Sequence, residues 1–191
     1  MITITECEKD GLQEIMNISM GQAANAFARL IQTQVSLSVP AIKSMSPVDF
    51  NQTITSFPDC WFASQSFMGC IEGEIITGIQ KTGCDALAQA MDFDLPLDKV
   101  STEELVLEVT NILAGACIQG LTSQLELSAQ LNMPAFYYPN KAATSSDWTS
   151  ILMIEIDFSI KHMHFSSHVL IGLQEDSIEP LLLPIRAMLE D

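Results

Sequence analysis

The feature that most limits what this chain can become is a repeat of itself. Residues 10–24 read DGLQEIMNISMGQAA and residues 104–118 read ELVLEVTNILAGACI. At a constant shift of 94, Glu14, Asn17, Ile18 and Gly21 stand opposite Glu108, Asn111, Ile112 and Gly115, and Ala23 stands opposite Cys117. The shift holds far downstream. Pro40 matches Pro134, so that 22 residues separate Asn from Pro in both halves, and Gly78-Ile79-Gln80 matches Gly172-Leu173-Gln174. Three blocks in one register imply an internal duplication, with pseudo-repeats over about 6–98 and 100–191. Whatever fold one half adopts, the other must adopt too.

Each half reads as a long helix, three strands and a closing helix, which makes the chain α+β. The first helix spans about Glu6 to Ile31, opened by a Thr5/Glu8 capping box. Its apolar stripe is Leu12, Ile15, Met16, Ala23, Phe27 and Leu30. The second begins near Ser101 and carries Leu105, Val109, Ile112, Cys117 and Leu121. The stretches QVSLSVPAI, DCWFASQSFM and IEGEIITGI, then SAQLNMPAFYY, ILMIEIDFSI and HFSSHVLIGL, are rich in β-branched and aromatic residues and read as strands. Strands that follow one another with no helix between them pair antiparallel. The expectation is one domain over 1–191 with a mainly antiparallel six-stranded sheet shared by two pseudo-symmetric halves. Short helices CDALAQAMDF and SIEPLLLPIRAML close the halves, with Pro184 an obstacle in the second. The joint lies at 93–101, too short and apolar for a free linker.

Composition narrows the function classes. Of 191 residues, 48% are hydrophobic and 17% charged, a globular balance. No uninterrupted apolar run approaches the roughly 18 residues of a membrane span, and the first ten residues have no signal-peptide pattern. A cytoplasmic location is expected, with no membrane insertion. The cysteines Cys7, Cys60, Cys70, Cys84 and Cys117 lack Cys-x-x-Cys spacing and read as reduced thiols. Eight basic against 24 acidic residues give a formal charge of −16, which repels nucleic acid.

The chemistry lies in a polar stripe. On a helix Asp10, Glu14, Asn17 and Gly21 share one face, and Glu104, Glu108, Asn111 and Gly115 repeat it. Asn is a mediocre residue for a helix interior, because its amide competes for backbone hydrogen bonds. A primary amide, however, holds a water through its carbonyl oxygen and NH₂ together without titrating. Positioning a water is what in-line attack on a phosphoryl group requires. The adjacent carboxylate offers a charge partner for a lysine, and the glycine leaves the surface flat for close approach. A single Glu/Asn pair on a helix is more often only a solvated face; its recurrence in both halves is what brings a functional reading level.

The pattern Asp10-x₃-Glu14-x₂-Asn17-x₂₂-Pro40 closely resembles the signature of the CheC/CheX/FliY phosphatases, with EIMNISMGQAA similar to the first family motif and EVTNILAGA to the second. Two complete motifs resemble CheC, or the middle domain of FliY, more than CheX, and the absence of a segment like the switch protein FliN favours a free-standing CheC-like protein. The resemblance implies a CheC-like fold and hydrolysis of the phospho-aspartate of a CheY-like response regulator in chemotaxis. It gives Glu14, Asn17, Glu108 and Asn111 catalytic roles: each Asn orients the attacking water, and each Glu pairs with the receiver's lysine. Asp10, Gly21, Glu104 and Gly115 would shape docking. It implies no cofactor of the chain's own, the Mg²⁺ being the receiver's. Glu104 departs from the Asp or Ser usual at its position, so the second site is expected to be weaker. The rival reading is a noncatalytic adaptor binding a receiver or a CheD-like deamidase. A third reading is a structural part of the flagellar switch.

Other candidates carry less. His162, His164 and His168 would share one side of a strand, yet half one has no counterpart to them, and they read as ordinary strand histidines. The ten methionines read as core. No Gly-x-Ser-x-Gly or nucleotide-binding glycine motif is present. Trp61, Phe62, Tyr137 and Trp148 are placed in or beside the sheet.

Overall fold

The computed structural model describes residues 4–139 and 150–190; Trp148 lies outside them. The first half supplies α1 (Glu6–Leu30), β1 (Ser36–Leu37), β2 (Ala41–Met45), α2 (Pro47–Ser56), β3 (Cys60–Gly69), β4 (Gly73–Gln80) and α3 (Cys84–Ala90). The second supplies α4 (Lys99–Gln124), β5 (Ala129–Leu131), β6 (Ala135–Tyr137), β7 (Ile151–Ile160), β8 (Phe165–Gln174) and α5 (Ile178–Glu190). All strand pairs are antiparallel and form one sheet in the order β1-β7-β8-β4-β3-β5, with β2 also on β7 and β6 also on β3.

The mainly antiparallel α+β sheet of the sequence reading is present, with eight strands in place of six. The reason is proline. Pro40 and Pro134 interrupt the first strand of each half, and a residue without an N–H cannot continue a ladder. Each run therefore splits into two short strands, β1 with β2 and β5 with β6. Their partners lie in the opposite half: β1 and β2 pair with β7, and β5 and β6 pair with β3. The unforeseen α2 is started by Ser46, which accepts from the Asp49 N–H, with Pro47 in its first turn.

Alternation along the long strands sorts side chains to two faces. Leu152, Ile154, Ile156, Phe158 and Ile160 of β7 enter the main core, beneath the long helices. Ile151 and Met153 face the other way and join Phe50 and Ile54 of α2, Phe62, Ile76, Tyr137 and Leu170 in a smaller cluster. Both faces of β7 are thus covered.

The capping box of α1 is formed. Thr5 Oγ1 accepts from the Glu8 N–H, and the Glu8 carboxylate accepts from the Thr5 N–H and O–H. Arg186 of α5 donates to the same carboxylate. Leu12, Ile15, Met16, Ala23 and Phe27 are buried as the stripe requires, but Leu30, in the last turn, is half exposed. The second helix starts at Lys99, before the expected Ser101, because Asp98 serves as N-cap and accepts from the Ser101 N–H at 2.8 Å. In length and composition α4 would suffice to cross a membrane, yet here its apolar side packs on α1 and the sheet, with Leu105, Val109, Leu113 and Cys117 fully buried. Pro184 does not end α5, which runs through it.

The two long helices meet closely. Met20 touches Cys117, and a Cβ on Gly120 would lie 2.6 Å from Ser19 Cβ and 3.0 Å from its Cα. Gly120→Leu should therefore cost about 1–3 kcal/mol by overpacking, measured as a lowered denaturant midpoint. The hydrogen bonds from Thr5, then that from Arg186, hold the Glu8 carboxyl down from 4.5 to about 2. A depressed acid stabilises the fold fully above its unfolded value and loses that contribution as pH falls through the folded one. Thr5→Ala should cost about 1 kcal/mol at pH 7, and its difference from wild type in chemical denaturation should shrink from pH 4.5 towards about pH 2.

Candidate functional site

Burial of the apolar sides of α1 and α4 decides where their polar stripes point. Asp10, Glu14 and Asn17 are exposed on α1, and Glu104, Glu108 and Asn111 on α4; Gly21 and Gly115 are half-buried at the ends of the stripes. All eight residues of the two polar stripes are thus placed at the surface or its edge, four on each helix. A Cβ on Gly21 would meet nothing within 4 Å, and one on Gly115 only Leu131 Cδ1 at 4.0 Å. Among the described residues, packing requires neither glycine.

Each stripe faces the proline turn of its own half, but the two turns are tied differently. In the first, Gln13 Nε2 of α1 donates to the Pro40 carbonyl at 2.8 Å. In the second, the tie comes from the sheet. Gln65 of β3, 1% exposed, donates through Nε2 to the Asn132 carbonyl at 2.6 Å and to Asn111 Oδ1 at 3.0 Å. Asn132 is anchored further by its backbone N–H to the Ser66 carbonyl and its side-chain N–H to Ser66 Oγ, both at 2.9 Å. Above these bonds opens a cleft of about 790 Å³. Glu104, Glu108 and Asn111 form one wall, Leu131, Met133 and Pro134 the other, and Gln65 the floor. Met133 is 90% exposed at its rim; Val39, the matching residue before Pro40, is 71% exposed.

Gln65 escaped the sequence reading, although a signal was there. The core-facing positions of β3 are Ala63, Gln65 and Phe67, and a glutamine between two buried apolar residues breaks the alternation. Comparison at the shift of 94 would have matched it to Ser159. The ladders show otherwise. Gln65 lies opposite Ile75 of β4, and Ile75 corresponds to Val169 of β8, whose partner on β7 is Ile156. Between β3 and β7 the offset is 91, because the β7–β8 connection is longer. The place of Gln65 is held in the other half by Ile156, fully buried and apolar.

The histidines do not share a strand face. His162 and His164 lie in the 3₁₀ turn joining β7 to β8, and only His168 is in β8. His162 Nε2 meets Thr33 Oγ1 at 3.0 Å; His168 Nδ1 meets Asp157 Oδ1 at 2.6 Å and its ring stacks on Phe57. Among the described residues no group of three His, Cys, Asp or Glu side chains is placed to hold a metal. Burial pushes the Cys84 thiol up to about 11 and that of Cys117 to about 12, as befits inert core thiols.

Residues 8–44, which hold the first stripe and its proline, match the CheC-like family. No curated protein matches the chain. Several solved structures share its fold. FliY from Thermotoga maritima superposes with a TM-score of 0.72 at 17% identity, covering 97% of this chain and 99% of its own. The FliM middle domain from H. pylori gives 0.67 at 10% identity, covering 95% and 99%. A chain of the CheX–CheY–BeF3–Mg²⁺ complex from Borrelia burgdorferi gives 0.57 at 19% identity, covering 83% and 97%. The chain therefore carries the CheC-like motif in α1 and the fold shared by CheX and FliY.

With open space around Gly21, Gly21→Ala should raise the unfolding free energy by up to about 1 kcal/mol through helix propensity alone. If that flat surface serves docking, the same variant should weaken binding of a partner, which titration calorimetry would report.

Proposed function

We propose that this chain, with its CheC-like motif and fold, is a phosphatase of CheY-like response regulators, acting in a chemotaxis or related two-component pathway in the cytoplasm. The observation that carries the reading is the pair of exposed Glu-x-x-Asn faces, one of them at an acidic cleft. The CheX of the same fold solved together with CheY supports it.

The reaction asks little covalent chemistry of the chain. Water attacks the phosphorus of the receiver's aspartyl phosphate in line, the P–O bond to the aspartate breaks, and inorganic phosphate leaves a free carboxylate behind. The proton released by the water ends on a phosphate oxygen. Asn17 or Asn111 fixes the water by hydrogen bonds, which reduces the entropy lost on reaching the transition state. Glu14 or Glu108 pairs with the receiver's lysine and sets the docking register. A carboxamide does not ionise near neutral pH and so serves as neither general acid nor general base; its role is placement. A Mg²⁺ held by the receiver would meet the charge on the transferring group, and this reading asks for no metal ligand among the described residues of the chain.

A second reading has its own observation. The FliM middle domain has this fold as well, and a binding module would need the same exposed stripes for contact alone. It would bind a receiver, or a CheD-like deamidase, without hydrolysis.

Decay of a phosphorylated CheY-like receiver separates the two. Wild type should accelerate phosphate loss, and the Asn17→Ala/Asn111→Ala double variant should lose on the order of 10²-fold while remaining folded. A binding module would leave the decay equal with wild type, both single variants and the double variant.

A further inference from the structure

We propose that Gln65 is a positioning residue that fixes the Asn111 carboxamide in one orientation for hydrolysis, so that the second site carries most of the turnover. The inference rests on the phosphatase reading and deepens it.

The hydrogen bonds determine which way both amides face. The Gln65 atom 2.6 Å from the Asn132 carbonyl must be the NH₂, since a carbonyl oxygen only accepts. The same nitrogen has a second hydrogen, and the Asn111 atom 3.0 Å away must accept it, so it is Oδ1. Gln65 is itself constrained: it is buried on the core face of β3 between Ala63 and Phe67, and its first hydrogen is held by a backbone carbonyl. Asn111 is thus held with Oδ1 over the cleft floor. One Oδ1 lone pair stays available to a water hydrogen, and the NH₂ is directed away from Gln65. Donation into Oδ1 also polarises the amide and strengthens its N–H groups as donors.

The first site lacks this device. Ile156 occupies the place of Gln65 and has no polar atom to offer, and among the described residues Asn17 makes no side-chain hydrogen bond. Its amide must be ordered during each turnover. A side chain already frozen in its working rotamer avoids that cost, which sets the second site ahead of the first, the reverse of the order that the motifs alone imply. The longer Glu104 would have ranked them the other way; the clamp beneath Asn111 outweighs it.

The test is steady-state hydrolysis of a phosphorylated CheY-like receiver by Gln65→Met, which keeps the volume and removes the donor. The expected result is a kcat lower by on the order of tenfold with KM unchanged, and no further loss when Gln65→Met is added to Asn111→Ala. An unchanged kcat, or an equal loss in the Asn111→Ala background, would overturn the proposal while leaving the phosphatase reading intact. Absence of hydrolysis by wild type would instead overturn the phosphatase reading and the proposal with it. Should Gln65→Met not fold, side-chain amide relaxation in the wild-type protein decides: Asn111 NH₂ ordered and Asn17 NH₂ mobile supports the clamp, and equal mobility refutes it.

Discussion

Everything at the surface of this protein follows from how its two long helices bury their apolar sides. The α1 stripe of Leu12, Met16, Met20, Ala23 and Phe27 and the α4 stripe of Leu105, Val109, Leu113 and Cys117 must be removed from water together. They achieve it by lying on one sheet and against each other, near enough at Ser19 that only a glycine fits at position 120. Once those faces are fixed, a helix has no freedom left in where its remaining residues point. Asp10, Glu14 and Asn17, and equally Glu104, Glu108 and Asn111, are turned outward by packing they do not take part in. The placement of both stripes is set by this packing, and among the described residues Asn111 alone of the Glu and Asn positions is tied further, by the hydrogen bond from Gln65.

The same packing explains why a sequence repeat yields two sites that differ. Residues on the helices are governed by the shift of 94, and the motif is preserved there. What lies under the second motif comes from β3, whose offset from its counterpart β7 is 91. Gln65 and Ile156 are therefore structural equivalents that a linear comparison never sets side by side. Gln65 gives the amide above it a fixed hydrogen-bond donor, and Ile156 has no donor to give.

Much of this could be read from residues alone. Helix periodicity and the Thr5/Glu8 box gave α1 nearly to the residue, because amphipathic stripes and caps are local signals. The strands were found for the same reason, and so were the exposed Glu and Asn positions. What was missed depended on long-range pairing. Pro40 and Pro134 were visible, yet their effect, two short strands per run, depends on a ladder supplied by the other half. His162 and His164 looked like strand residues because the turn that holds them has no glycine or proline to announce it. Gln65 broke the alternation of β3, a local signal, but its partners are 46 and 67 residues away.

The exchange of short strands has a consequence for how the chain can be divided. β1 and β2 complete an edge belonging to β7, β5 and β6 complete one belonging to β3, and α5 lays Ile185 against Gly11 of α1. A polypeptide cut in the turn before α4 would give two pieces, each with a bare sheet margin and an uncovered helix. Neither piece holds its own missing parts. Each is shaped to receive the other, so that the severed protein would behave as an obligate heterodimer, its cohesion set by concentration where the intact chain has it by covalent connection.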